Sequence, residues 1–250
     1  MNPPVNPIIV IPARMASTRL PGKPLALIAG RPMILHVVER ALEADIGPVA
    51  VACAEQRLAE VVRAAGALAV LTDPALPSGS DRVNAALAAL DPDGQHDVVV
   101  NLQGDLPLIP PAALRSVLVP LDDPGVDIAT LVAPILGVEE AMAPSVVKAA
   151  CAFEDGRAVA PALYFSRLPV PWGAGPLWHH IGVYAYRRAA LARFVGLPAS
   201  PLERRESLEQ LRALEAGLRI ACAQVETAPF GVDTPADLDR ARAALEKCPG

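Results

Sequence analysis

The run Ile8-Ile9-Val10-Ile11, joined directly to Pro12-Ala13-Arg14-Met15-Ala16-Ser17-Thr18-Arg19-Leu20-Pro21-Gly22-Lys23-Pro24-Leu25, decides how this chain is read. An unbroken apolar run of this kind marks a strand buried on both faces. The residues from Pro12 to Leu25 include turn formers and show no helical period, so the strand feeds a loop. No carboxylate occurs before Glu39, whereas Arg14, Arg19, Lys23 and Arg31 fall within one stretch of loop and turn. Cations fixed by prolines and glycines at a strand's carboxyl end meet a dense polyanion such as a triphosphate at little ordering cost. On charge alone, the same stretch also reads as a solvated basic turn.

Working outward, short apolar strands alternate with longer helical patterns. Strands are predicted at 8–11, 49–52, 69–71 and 98–102, and helices at 33–44, 57–65 and 82–90. This β-α-β-α order implies an α/β fold with a mostly parallel sheet covered on both faces. Ligands then bind at the carboxyl ends of the strands, and Arg14 and Asp105 both lie just past such ends. The alternation weakens after about residue 145. Strands and a turn around Asp155-Gly156 are predicted over 146–171 and another strand over 181–186. A helix at 202–216, a strand at 220–225 and a closing helix at 235–245 complete the pattern. One domain over 1–250 with a lobe at about 146–217 is the organisation expected.

The chain has 250 residues, 52% of them hydrophobic, enough for a substantial core. A net charge of -5 argues against nucleic acid as a partner, because backbone binding needs a broad basic face. The cysteines Cys53, Cys151, Cys222 and Cys248 are widely spaced, which suggests neither a zinc site nor a disulfide framework and fits a reduced, cytoplasmic protein. The start Met1-Asn2-Pro3-Pro4 has no export signal, and no apolar run approaches the roughly 18 residues that span a bilayer, so no membrane partner is expected. Proline is the compositional oddity, at 27 residues where average usage gives roughly 12.

Several residues have chemistry to offer. Asp105, in Gln103-Gly104-Asp105, reads equally as a metal ligand at a strand end or as a turn aspartate. Asp233 precedes Thr234-Pro235-Ala236-Asp237, which looks like an N-cap, a proline at the first helical position and a capping acid, leaving Asp233 itself available. It also reads as one more acid at a helix start. Ser78-Gly79-Ser80-Asp81-Arg82 suits a ligand contact and a helix cap alike. Glu209 and Gln210 alone would be a solvated helix face, and His180 beside His179 a structural residue. Glu203 and Glu206 are read as structural. The opening lacks Gly-x-Gly-x-x-Gly after Ile11, which makes a nicotinamide-binding oxidoreductase a poor alternative.

The run from Ile11 to Leu25 resembles the opening signature of the cytidylyltransferases that activate 3-deoxy-manno-octulosonate (Kdo) as its CMP ester. The likeness continues through Asn101-Leu102-Gln103-Gly104-Asp105, Ala162-Leu163-Tyr164-Phe165-Ser166-Arg167, His180-Ile181-Gly182-Val183-Tyr184-Ala185-Tyr186-Arg187, Leu208-Glu209-Gln210-Leu211-Arg212 and Gly231-Val232-Asp233-Thr234-Pro235. The resemblance implies a nucleotide-diphospho-sugar transferase-like fold, a mostly parallel twisted sheet flanked by helices, with a smaller α+β lobe for sugar contacts and a homodimer surface. It implies CMP transfer from CTP to Kdo for lipopolysaccharide assembly in a Gram-negative cytoplasm, with Mg²⁺ held by Asp105 and Asp233. Catalysis would fall to Arg14, Lys23 and Asp105. The nucleotide would be bound by Ala13, Arg14, Ser17, Arg19, Lys23, Ser78, Gly79, Arg82 and Gln103, and Kdo by Gln103, Arg167, His180, Tyr184, Glu209 and Gln210. Two departures stand out: Leu106 where the family has Glu in Gly-Asp-Glu-Pro, and Ala75-Leu76 where Asp-His is common. They keep another ulosonic acid, an amino analogue of Kdo or a sialic-type sugar, as the alternative. A catalytically silent nucleotide binder would be expected to lack one of the two carboxylates, and both are present.

Overall fold

Strand β1 (Pro7–Ala13) is buried along nearly its whole length, as its apolar run requires. The computed structural model describes residues 6–17 and 19–246. Thr18, Cys248 and the amino-terminal stretch Met1-Asn2-Pro3-Pro4 lie outside them. After β1 come a 3-10 turn at Lys23–Leu25, the short pair β2 (Leu27–Ile28) and β3 (Arg31–Pro32), and helix α1 (Met33–Ala44). Next are β4 (Val49–Cys53), α2 (Gln56–Ala64), β5 (Leu68–Leu71), α3 (Gly79–Leu90), β6 (Val98–Asn101) and α4 (Pro111–Ser116). The chain continues through β7 (Ile128–Pro134), α5 (Val138–Met142), β8 (Lys148–Cys151), β9 (Val159–Ser166), β10 (Trp178–Arg187) and α6 (Arg188–Val195). It ends with α7 (Pro201–Glu206), α8 (Leu211–Glu215), β11 (Ile220–Gln224) and α9 (Pro235–Glu246). No described helix is long and apolar enough to cross a membrane.

The described residues form two compact units, one of those between 6 and 114 together with 229–246, the other of 115–228. In the first, β5-β4-β1-β6 lie side by side and all run parallel. Helix α1 buries Ile34, Val37, Val38 and Ala41, the 3- and 4-residue spacing of one helix face. The carboxyl-terminal segment returns to this unit: Val232, Leu238 and Ala241 pack with Ile28 and Met33 in one buried cluster.

In the second unit the order is β10-β7-β11-β9-β8, and β8 pairs back onto β10, so the ring of strand pairings closes. Closure leaves few unpaired edges. A bulge in β10 between Ile181 and Tyr184 lets the strand bend. Here only β7 and β11 run parallel, the other pairings being antiparallel. Strand pairing in the chain is therefore mixed rather than mostly parallel, because hairpin-type returns replace helical crossovers after residue 145.

The helix expected at 202–216 is also corrected. Two short helices stand there, since Ser207 adopts a left-handed backbone at φ 55°. A continuous helix would need the carbonyls of Glu206 and Ser207 for its own bonds. Both instead accept from the Arg167 guanidinium, at 2.7 Å from Nε and 3.1 Å from Nη2. A tertiary contact overrides local propensity.

Candidate active site

The cationic loop is held at both ends by its backbone. The Ala13 carbonyl accepts from the Ala54 N–H at 3.0 Å, and the Met15 N–H donates to both carboxylate oxygens of Glu55 at 3.0 Å. The loop then turns at Gly22, whose φ of 70° favours glycine, and its N–H reaches back to the Met15 carbonyl at 3.2 Å. Lys23 opens the 3-10 turn at Lys23–Leu25. Its Nζ lies 2.7 Å from Asp105 Oδ2 and 3.0 Å from Asp233 Oδ1, and Arg19 Nη2 lies 3.0 Å from Asp233 Oδ2. Burial alone would push the Lys23 ammonium down, but the two carboxylates outweigh it and hold its pKa above the usual lysine value.

Two distant segments deliver those carboxylates. Asp105 follows β6 across Gly104, where an added Cβ would sit 3.1 Å from the Pro12 carbonyl oxygen and 3.3 Å from Ile34, so the close approach favours glycine. The Asp105 carbonyl accepts from the Val232 N–H at 2.9 Å, which ties the second segment to the first. Thr234 Oγ1 accepts from the Asp237 N–H at 3.2 Å, and the Asp237 carboxylate in turn accepts from the Thr234 N–H at 2.9 Å. Helix α9 is thus capped by neighbours of Asp233 and not by Asp233, whose carboxylate is left to the two cations.

These groups line one cavity of about 680 Å³, together with Ala13, Arg14, Ser17, Ser78, Gly79, Arg82 and Gln103. Every residue expected at the nucleotide and both expected metal ligands are therefore brought together in the first unit. Ser78 caps α3, accepting from the Asp81 N–H at 3.1 Å, so its cap role is realised on the cavity rim. Arg82 is buried, and its Nη1 donates to Thr72 Oγ1 at 2.6 Å and to the Asp73 carbonyl at 3.1 Å. Burial lowers its pKa, with Glu55 opposing and Arg14 adding to the shift. Gln103 Nε2 donates to the buried Asn101 side chain at 3.1 Å. The sequence alone does not single out Glu55, Thr72 or Asp73. Glu55 carries one readable signal, an acid at the start of α2 just past a buried strand.

The residues expected at the sugar, apart from Gln103, lie in the second unit. His180 is buried, its Nε2 3.0 Å from the Thr130 hydroxyl and its ring packed 4.8 Å from Phe165 and 5.5 Å from Tyr184. The Thr130 hydroxyl donates its single proton to the Val183 carbonyl at 2.8 Å, so its oxygen is left to accept Nε2–H. Burial drives the His180 pKa to about 3, with His179 adding to the shift. The Tyr184 hydroxyl is pushed well above its ordinary value, chiefly by burial. Arg167 commits its guanidinium to the carbonyls of Glu206, Ser207 and Pro144. Gln210 is buried at the start of α8, and Glu209 lies 3.7 Å from Arg212. Glu203 and Glu206 are structural, the first paired with Arg212, the second accepting from the Arg167 N–H at 2.9 Å. A second cavity of about 230 Å³ in this unit is lined by Cys151, Phe153, Pro171 and Trp178, and by none of the expected sugar residues. Cys53, Cys151 and Cys222 are free thiols.

Parallel strands ending on a cavity of cations that face two carboxylates define a nucleotide-handling enzyme, and the Cytidylyltransferase family pattern matches residues 8–220. The 3-deoxy-manno-octulosonate cytidylyltransferase of Rhodospirillum centenum is 65% identical over 97% of this chain and 95% of its own. The protein of that name from Parvibaculum lavamentivorans is 62% identical over 97% and 93%. A solved CMP:2-keto-3-deoxy-manno-octonic acid synthetase complexed with CTP is 42% identical, covers 97% of this chain and 99% of that one, and superposes with a TM-score of 0.87. The chain belongs to the 3-deoxy-manno-octulosonate cytidylyltransferase family.

Proposed function

We infer that the chain transfers CMP from CTP to the anomeric hydroxyl of Kdo, releasing pyrophosphate. One observation carries this reading: Arg14, Arg19 and Lys23 line one cavity together with Asp105 and Asp233, in a chain 65% identical to a Kdo cytidylyltransferase. Identity at that level favours Kdo over another ulosonic acid, in spite of Leu106 and Ala75-Leu76.

In this reading the Kdo hydroxyl oxygen bonds to the α-phosphorus of CTP as the bond to the pyrophosphate oxygen breaks, the hydroxyl proton passing to solvent. Charge grows on the phosphate oxygens, and fixed cations offset it without reorganising. Arg14 presents a planar fork of donors and Lys23 a compact point charge. Ala13, Ser17, Arg19 and Gln103 wrap the nucleotide, and the Ser78-Gly79 turn with Arg82 takes the base end. Asp105 and Asp233 suit Mg²⁺: their carboxylate oxygens converge on the one Lys23 nitrogen, and two hard oxygen ligands are what this ion takes from protein when phosphates complete its shell. Asp105 and Asp233 would hold the ion, which would supply positive charge against the phosphate oxygens. Arg167, His180, Tyr184, Glu209 and Gln210 are assigned to the sugar, with His180 neutral. The 146–217 lobe is assigned sugar contacts and the surface of a homodimer. The pathway served is lipopolysaccharide assembly in a Gram-negative cytoplasm.

Pyrophosphate release with CTP, Mg²⁺ and a panel of 2-keto-3-deoxy sugars tests this reading. Kdo should be turned over fastest, and turnover should stop with chelator and return with Mg²⁺. Faster turnover of another ulosonic acid, or equal rates with ATP or GTP, would overturn it.

A further inference from the structure

Arg14 is gripped on both sides by the neighbouring strand and its extension. The residue before it, Ala13, gives its carbonyl to the Ala54 N–H, and the residue after it, Met15, gives its N–H to both oxygens of Glu55. Ala54 and Glu55 are themselves consecutive, continuing the β1–β4 register that ends at Ala13 opposite Cys53. The parallel ladder is thus prolonged one step past the strand, with a side-chain carboxylate in place of a backbone carbonyl.

Glu55 gives up something to do this. It occupies the N-cap position of α2, yet its side chain makes no cap bond to that helix. Helix starts leave N–H groups that an adjacent side-chain oxygen normally accepts. Here the acid turns to an amide 40 residues earlier in the chain. A carboxylate accepting a backbone N–H through both oxygens is a charge-assisted contact, stronger than a neutral one. Arg14 itself has no acid partner among the described residues and lines the cavity. Its backbone is fixed while its guanidinium is left available.

We propose that Glu55 is a positioning residue for the reaction, fixing the backbone on either side of Arg14 so that the guanidinium meets the triphosphate already oriented. The proposal rests on the reading of Arg14 as a phosphate contact. It implies that Glu55 acts through Arg14 and touches no substrate.

The test is a double-mutant cycle in pyrophosphate release, with kcat and the CTP KM measured for E55A, R14A and E55A/R14A, and E55Q alongside. E55A should lower kcat/KM for CTP by about tenfold or more, as expected for a lost charge-assisted bond. The double variant should be about as impaired as R14A alone, since groups acting as one unit are not additive. E55Q keeps one amide oxygen that accepts the Met15 N–H but loses the charge and the second oxygen, so its activity should fall between those of E55A and the parent. If E55A fails to fold, E55D, which keeps the charge and loses one methylene of reach, takes its place in the cycle. Full additivity of E55A with R14A overturns the proposal, as does an E55Q as impaired as E55A, which would put the effect on charge. A neutral E55A beside an impaired R14A overturns the Glu55 role alone, whereas a neutral R14A overturns it together with the phosphate reading.

Discussion

Lys23 lies within 3.0 Å of two acids from well-separated parts of the chain, so removing either acid changes both the charge and the packing of the cavity. Asp105→Asn keeps the volume and an acceptor for the lysine but removes a charge from the carboxylate pair. It should fold, and it should turn over at least about a hundredfold more slowly at saturating CTP, through loss of electrostatic stabilisation. Activity within about threefold of the parent, in a steady-state assay, would remove Asp105 from the mechanism. His180 gives a second outcome at this scale. With its folded pKa at about 3, the ring stays neutral and should show no titration between pH 5 and 8 in a nitrogen-15 NMR series. Below the unfolded histidine pKa the unfolded chain binds a proton that the folded ring refuses, so stability falls with acidification. This one group contributes a loss of roughly 1.4 kcal/mol per pH unit between about 6.5 and its folded value.

Among the elements, α7 and α8 show where sequence reading stops. The alternation of strands and amphipathic helices up to β6 was legible because β1, β4 and β6 are buried apolar runs, and α1 begins and ends where its pattern does. Asp105 and Arg14 were legible because parallel strands bring their ends to one rim. The break at Ser207 was not, since nothing local marks Arg167 as the donor that takes two helix carbonyls. Nor does sequence mark Lys148, fully buried and donating to the carbonyls of Ala143, Val146 and Arg167. Such groups depend on partners far along the chain, which periodicity does not report. The two short helices are joined by Arg212, whose Nε donates to Glu203 at 2.8 Å. Burial alone would raise the Glu203 carboxyl, but Arg212 and the Ser200 N–H hold it below its ordinary value. Its stabilising effect is therefore present above the unfolded glutamate pKa and lost as pH falls through the lower folded one. Glu203→Gln should cost about 1–3 kcal/mol in neutral urea unfolding, and the gap to the parent should close in acid. A gap independent of pH would detach the pair from this role.

Large apolar side chains are exposed in both units, and those at Leu136, Val138, Met142, Leu163, Leu168 and Trp172 fall within the second. Of these, Leu163, Leu168 and Trp172 lie in the 146–217 lobe, and the first two are the side chains through which the proposed homodimer is tested. Leu163 faces outward from β9 between buried Ala162 and half-buried Tyr164. Leu163→Glu combined with Leu168→Glu should leave circular dichroism unchanged and shift the sedimenting species from dimer to monomer. A parent protein that sediments as a monomer would rule the dimer out. The tie between Lys23 and Asp233 spans 210 positions of sequence, which gives the cavity a place in the order of synthesis. A nascent chain that has emerged only through β11 holds the cationic loop and Asp105 but lacks Asp233. On the proposed assignment of both carboxylates to the metal, competence to turn over substrate arrives last, with the segment that packs Val232 and α9 against Ile28 and Met33. Messages cut short upstream of residue 233 would yield polypeptides that lack both the Asp233 carboxylate and the buried contacts of Val232, Leu238 and Ala241.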